Sequence, residues 1–114
     1  MKYLLLMYAD EAEIPQSSEE VKTMAPVWYQ LAEDMKAAGV WLASSGLSPV
    51  ATATTVRVRD GKTLVTDGPF AETHEQLGGF LLLECGDIDE ALAWAARIPT
   101  ATYGSVEIRP QWGQ

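Results

Sequence analysis

The sequence is poor in cysteine, histidine and basic residues, and each shortage excludes a class of protein. One cysteine, Cys85, cannot form an intrachain disulfide, which predicts a protein of the reducing cytoplasm. One histidine, His74, excludes a metal site built from several histidines. Eight basic residues stand against sixteen acids, and the net charge of −8 makes nucleic acids and anionic membranes poor partners.

Long hydrophobic runs are also missing. No stretch approaches the roughly 18 apolar residues that cross a bilayer. The apolar start, Tyr3–Ala9, is followed directly by acids and has no cleavage site, which predicts a strand rather than a signal peptide. The 114 residues, 47% hydrophobic and 21% charged, suit one core, so a single domain over residues 1–114 is expected.

Apolar periodicity and turn residues predict the strands. The clearest signal is Asp60–Gly61 between two alternating segments, which predicts a type I′ hairpin turn. The polar segment 71–77 is expected to be a loop or a single helical turn. The predicted strands cover residues 2–8, 40–43, 55–59, 62–66, 80–85 and 105–109.

Two capping boxes, Ser17–Glu20 and Asp87–Glu90, predict the starts of two helices, which end at Gly39 and before Pro99. Pro26 interrupts the first helical pattern and predicts either a kink or a division into two helices. The apolar faces are expected to be Val21, Met24, Trp28, Leu31, Met35 and Ala38 on the first helix and Ala91, Leu92, Ala95 and Ile98 on the second.

The order β-α-β, hairpin, β-α-β predicts an α+β fold, a ferredoxin-like split βαβ with an added β-hairpin. Right-handed crossovers place both helices on the same face of the sheet. Strands 3–8 and 80–85 are apolar on both alternating faces, so one apolar face is left uncovered. We therefore expect a homodimer that packs sheet to sheet as a dimeric α+β barrel.

Most residues that could carry chemistry also have an ordinary structural interpretation. His74 lies in a polar loop, Cys85 on an apolar strand, and the acids of 10–20 in a run typical of a solvated loop. Trp28, Trp41 and Trp94 are expected in the core, although Trp28 could present its indole to a ligand.

Asp67–Phe70 is the cluster with two open interpretations. Aspartate, glycine and proline in succession are typical of a turn. The same residues place a carboxylate and an aromatic ring at the end of a strand, where pockets form. A partly buried Asp67 beside Phe70 would be a candidate general acid or base.

Four stretches of the chain resemble the YCII-related family in its DGPF branch, and they are Lys2–Tyr8, Thr66–Thr73, Glu75–Phe80 and Gly104–Pro110. The D-G-P-F-A-E-T stretch within them is highly specific. The resemblance implies a dimeric α+β barrel. It also implies small-molecule enzymes among some members and gene neighbours that encode extracytoplasmic-function sigma factors.

The chain departs from the family pattern at two places. The narrower YCII branch carries a histidine on the first helix that pairs with an aspartate. No histidine occurs in the predicted first helix here, so that dyad is not carried over. Position 74, commonly lysine or arginine in the DGPF branch, is histidine in this chain.

Three functions remain open at this point. The first is a cytoplasmic protein that binds or transforms a small molecule in the barrel cavity near Asp67, with Asp67, Phe70, Trp28 and Tyr8 as ligand-binding residues. The second is a non-catalytic regulatory partner, for example of a sigma factor. The third is a dimer module without a ligand. No metal or cofactor is expected, and catalysis is left open.

Overall fold

The computed structural model describes residues 1–15 and 17–114, so Gln16, in the predicted acidic loop, lies outside the described residues. Two α-helices are described, α1 (Ser18–Ala37) and α2 (Ile88–Ala95). The strands are β1 (Lys2–Ala9), β2 (Trp41–Gly46), β3 (Thr54–Arg59), β4 (Lys62–Asp67), β5 (Gln76–Glu84) and β6 (Ser105–Pro110). Short 3-10 helices lie at Glu11–Glu13, Val50–Thr52 and Pro99–Thr102.

Four strands form an antiparallel sheet in the order β2-β5-β1-β6, and β3 and β4 form a separate hairpin. Without the hairpin, this is the strand order of the ferredoxin-like split βαβ fold. The predicted fold class is therefore confirmed. None of the described helices is long and apolar enough to cross a membrane.

The core lies between the sheet and the two helices. Alternate side chains of the two central strands are buried, among them Leu5 on β1 and Leu83 on β5, both fully. They pack in one cluster with residues from both helices, which confirms that the helices share a face of the sheet. The helix residues in this cluster are Leu31 and Met35 on α1 and Ala91 and Ala95 on α2.

The other face of the sheet, here called the open face, is apolar at its centre. Register pairs Leu4 with Leu82 and Leu6 with Phe80 across β1 and β5. These four side chains and Tyr8 are only half-buried, because both helices lie on the opposite side. The strands are therefore apolar on both faces, as the sequence predicted.

Helix α1 is one helix with Pro26 inside it, so the predicted division does not occur. Proline removes a single hydrogen bond, to the carbonyl of Lys22, and both residues are exposed, so water can satisfy that carbonyl. Ser17 caps the helix by accepting a hydrogen bond from the Glu20 amide at 3.1 Å. Only the second half of α1 reaches the core, since Val21 is 50% exposed.

Helix α2 begins as predicted. The Asp87 side chain accepts a hydrogen bond from the Glu90 amide at 2.9 Å, and the Glu90 carboxylate accepts one from the Gly86 amide at 2.7 Å. Leu92 was expected in the core but is 52% exposed, because the sheet contacts a narrower stripe of this short helix. An ion pair between Arg97 and Asp34 joins the end of α2 to α1 and lowers the pKa of the Asp34 carboxyl.

The β3–β4 hairpin, here called the arm, projects from the body of the molecule. Asp60 and Gly61 have φ of 53° and 73°, as a type I′ turn requires, so this prediction is confirmed. One face of the arm exposes Val56, Val58 and Val65 by more than 60% each. The radius of gyration is 16.1 Å, against roughly 13 Å for a compact chain of this length.

The structure also shows the environment of Cys85 and the conformation of the segment before β5. Cys85 is buried, and desolvation raises the pKa of its thiol, which fits a packing role rather than a nucleophile. Segment 71–75 contains no helical turn, and Gln76 already belongs to β5, which is longer than predicted.

We expect Leu83→Ala to lower the free energy of unfolding by about 3 kcal/mol, because it opens a cavity at a fully buried position. Urea unfolding followed by circular dichroism would measure this loss. The matched control is Leu64→Ala on the arm, 48% exposed, which should change stability by less than about 0.5 kcal/mol. Equal effects at the two sites would contradict the described core.

Candidate functional site

A cavity of about 820 Å³ lies between α1 and the sheet, at the end where β1 leaves the sheet. Its volume is in the range of sites that bind small molecules. The cavity exists because α1 packs on the sheet only near its C-terminal end. Further toward the N-terminus the helix and the sheet are bridged by loops instead of by core side chains.

The walls of the cavity come from three parts of the chain. Helix α1 contributes one wall, the sheet a second, and loops at the ends of β1 and β2 form the mouth. The α1 residues are Trp28, Leu31, Ala32 and Met35, the sheet residues include Met7, Trp41, Ser44, Phe80 and Leu81, and the loop residues include Glu11, Ala12, Ile14, Leu47, Ser48 and Pro49. Thr100 and Tyr103 complete the lining.

A β-bulge shapes the sheet wall. Register between β1 and β5 shifts at Met7 and Tyr8, so that Gly78 is an extra residue on β5. Bulges bend a strand and redirect the side chains beside them. A Cβ atom on neighbouring Gly79 would lie 2.8 Å from the Ser45 carbonyl, so glycine permits this close approach of β5 to β2. The two glycines thus position the strands that bound the cavity.

Glu11 holds two loops together at the mouth. Its carboxylate Oε1 accepts a hydrogen bond from the Val50 amide at 2.8 Å, and its own amide donates to the Gln76 Oε1 at 3.2 Å. Glu11 is half-buried, whereas Glu13, two residues later, is exposed. The first 3-10 helix, the second 3-10 helix and the start of β5 therefore meet at this one residue.

The lining is mainly apolar and aromatic. Trp28 and Trp41 are partly buried against the core, and Tyr103 adds a further ring. Glu11 is the one carboxylate among the lining residues of the described chain, and that lining includes no lysine, arginine or histidine. The Nζ of Lys36 lies 5.3 Å from the ring centre of Trp41, on an exposed side chain that does not line the cavity.

The structure brings only one of the predicted ligand-binding residues to this cavity. Trp28 lines it. Tyr8 lies on β1 among the side chains of the open face, and Asp67 and Phe70 lie at the base of the arm. Asp67, Phe70 and Tyr8 do not line the cavity within one chain, so the four predicted residues do not form one site there.

The Asp67–Phe70 segment forms the base of the arm. Gly68 has φ of 100°, and its amide donates to the Ala53 carbonyl at 2.7 Å. The Arg57 guanidinium donates to the Phe70 carbonyl at 2.9 Å. Asp67 is exposed and Phe70 is 73% exposed, so the apolar mouth expected around the carboxylate is not formed within one chain. The role predicted for Asp67 stays a prediction.

Sequence reasoning missed Glu11, because it treated the acids of 10–20 as one solvated run. The signal that singles out Glu11 is that it continues the alternation of buried residues on β1, two positions after Ala9, where a side chain is still held near the core. Trp41 was assigned to the core and does pack there, but it also lines the cavity. His74 is 87% exposed, with Nδ1 3.7 Å from the Asp10 carboxylate.

No group of three or more His, Cys, Asp or Glu side chains suited to a metal ion occurs in the described part of the chain. The lining offers hydroxyls on Ser44, Ser48 and Thr100, the Gln76 amide and the Glu11 carboxylate. Such groups orient a ligand through hydrogen bonds while the rings supply contact area. The arrangement is suited to holding a largely apolar molecule.

Comparison with known proteins agrees with this architecture. A family model described as the YCII-related domain matches residues 1–112. An uncharacterized protein of Rhizobium meliloti (strain 1021) is 38% identical over 117 residues, which cover 96% of this chain and 91% of that protein. The similarity therefore extends over the sheet, both helices, the arm and the cavity.

We expect Asp67→Asn to leave binding in this cavity unchanged within about twofold, because the carboxylate lies outside the lining. Titration with the neutral dye N-phenyl-1-naphthylamine, whose fluorescence rises in apolar surroundings, would measure this. Asparagine has nearly the same shape at this exposed position, so stability should fall by at most about 1 kcal/mol. A large loss of dye affinity in a folded variant would show instead that Asp67 reaches a cavity, for example across a contact between copies.

Proposed function

The chain belongs to the YCII-related family, and we propose that it binds a small, largely apolar molecule in the cavity between α1 and the sheet. The observation that carries the proposal is the cavity itself: about 820 Å³, with mainly apolar and aromatic walls and a few polar groups, among them Glu11 and Ser48 at the mouth. A chain of this size ordinarily fills its interior to crystal-like density, so retaining such a space needs a reason.

The lining residues contribute to binding in two ways, through aromatic contact area and through hydrogen bonds. Trp28 and Trp41 offer flat apolar surfaces on opposite walls, one on α1 and one on β2. At the mouth, the Val50 amide donates to the Glu11 carboxylate, and the Glu11 backbone amide donates to the Gln76 side chain. A ligand would exchange water for these rings and keep its polar end at the mouth. The geometry therefore supports binding of a small molecule. We place the protein in the cytoplasm.

Blocking the cavity tests the proposal. We expect Ala32→Trp on α1 and Ser48→Trp at the mouth each to lower the affinity for N-phenyl-1-naphthylamine about tenfold or more, because an indole would occupy the space of the dye. Dye titration measures the affinity, and a thermal-shift screen against metabolites then seeks the natural ligand, since a molecule that binds only the folded state raises Tm.

The matched control is Ala51→Trp, an exposed position close to the mouth that does not line the cavity. It should bind the dye like the unmodified chain. Dye binding that survives both blocking variants would place the dye elsewhere and reject the proposal. A chain that binds neither dye nor any metabolite would favour the regulatory alternative, for which capture of a sigma factor is the direct test.

We further propose that two copies pair through the open face. Leu4, Leu6, Tyr8, Phe80 and Leu82 form a contiguous apolar patch on the two central strands, with no described element over it. A patch of this kind on the centre of a sheet normally marks an association surface. Pairing by a two-fold axis would put the same residues of both copies together and close a barrel.

Sedimentation equilibrium would test the pairing. We expect the unmodified chain to sediment at twice its mass of 12.4 kDa, and Leu82→Glu to sediment as a monomer, because a buried charge at the centre of the contact is unpaired. The control is Leu92→Glu, a leucine already 52% exposed on α2, which should leave the assembly unchanged. An unmodified chain that is monomeric at micromolar concentration would refute the dimer.

A further inference from the structure

From the charge and the rings of the cavity, and resting on the proposed function, we infer that the ligand is an organic cation, a molecule with an apolar body and a protonated amine. The inference concerns Glu11 above all. It is the one carboxylate among the lining residues of the described chain, and no basic side chain lines the cavity to neutralise it.

The carboxylate of Glu11 has acceptor capacity left over. Its Oε1 takes one hydrogen bond, from the Val50 amide at 2.8 Å, and no other hydrogen bond to this carboxylate is found within the described residues. An ionised carboxylate can accept about four. A protonated amine at the mouth would supply further donors and a compensating charge, which a neutral or anionic ligand would not.

The tie between the loops does not by itself require a charge. A glutamine at position 11 could accept the same hydrogen bond from the Val50 amide through its side-chain carbonyl. Partial burial makes an ionised group costlier than an amide of the same shape. The contact between the loops therefore does not explain why the half-buried side chain at position 11 is charged. Binding of a cationic ligand would explain the charge.

The aromatic rings support the same class of ligand. Faces of tryptophan and tyrosine attract cations, and sites that recognise organic ammonium groups combine several such rings. Trp28, Trp41 and Tyr103 all line this cavity. Lys36 already lies over the ring of Trp41, at 5.3 Å, from outside the cavity. The rings on the walls and the carboxylate at the mouth thus favour the same charge.

The surroundings of the mouth do not cancel this preference. Asp10 and Glu13 flank Glu11 in the sequence, and Glu75 precedes Gln76. His74, on the segment before β5, is 87% exposed, with its Nδ1 3.7 Å from the Asp10 carboxylate. With a net charge of −8 on the whole chain, the field at the mouth attracts cations and repels anions.

Three ligands that share an indole ring separate charge from shape: tryptamine is a cation, indole-3-ethanol is neutral and indole-3-acetate is an anion near neutral pH. Their affinities for the full chain can be measured by calorimetry and by displacement of N-phenyl-1-naphthylamine. We expect tryptamine to bind about tenfold more tightly than indole-3-ethanol, and indole-3-acetate to bind most weakly.

Glu11→Gln should remove the preference, bringing tryptamine within about threefold of indole-3-ethanol while the neutral ligand keeps its affinity. Glu13→Gln, which removes an equal charge from an exposed neighbour that does not line the cavity, is the control and should keep the preference. A preference that Glu11→Gln does not change would overturn the inference, as would one lost equally in both variants.

The outcomes distinguish this inference from the proposed function. If the dye and indole-3-ethanol bind, and the Ala32→Trp variant loses both, the cavity is a binding site. Equal affinities for the three indoles in that case would overturn the cationic class alone. If the dye binds the blocked and unblocked cavities equally well, the proposed function fails and the inference fails with it.

Discussion

The pairing of β1 with β5 is the constraint on which the rest of the structure depends. These two strands lie at the centre of the sheet, and each places alternate residues into the core, with Leu5 and Leu83 fully buried. Both helices dock on this face of the sheet, and Trp41 on β2 and Ile108 on β6 pack against the same core. Because period-2 alternation also places leucines on the other side, the same pairing creates the core and the open face together.

The parts of the fold that depend on local patterns could be predicted from the sequence. The turn at Asp60–Gly61 has the residues that positive φ demands, and Ser17 and Asp87 cap their helices through contacts only three residues long. The strand order also followed, since few topologies suit β-α-β units with right-handed crossovers. The turn and the helix caps depend on contacts within a few residues, and the strand order depends on the right-handedness of βαβ crossovers.

The candidate site was harder to predict, because its residues meet only through tertiary structure. Glu11 contacts Val50 and Gln76, which are 39 and 65 positions away, and no local pattern announces either contact. The Asp67–Phe70 segment was conspicuous in the sequence for the opposite reason, because its turn-forming residues are adjacent in the chain. In the structure these residues form the base of the arm. Periodicity likewise assigned Val21 to the core, although α1 has already left the sheet there.

Cavity and open face lie on opposite sides of the sheet, which has a consequence for the proposed dimer. If two copies packed through the open face, the partner copy would not cover the mouth at Glu11 and Ser48, because the cavity lies on the helix side of the sheet. Phe80 is paired with Leu6 on the open face, so its ring belongs to the proposed contact, while its position on β5 also borders the cavity. Strand β5 is therefore common to the proposed subunit contact and to the wall of the cavity. A contact between copies that shifts this strand would also change the shape of the cavity.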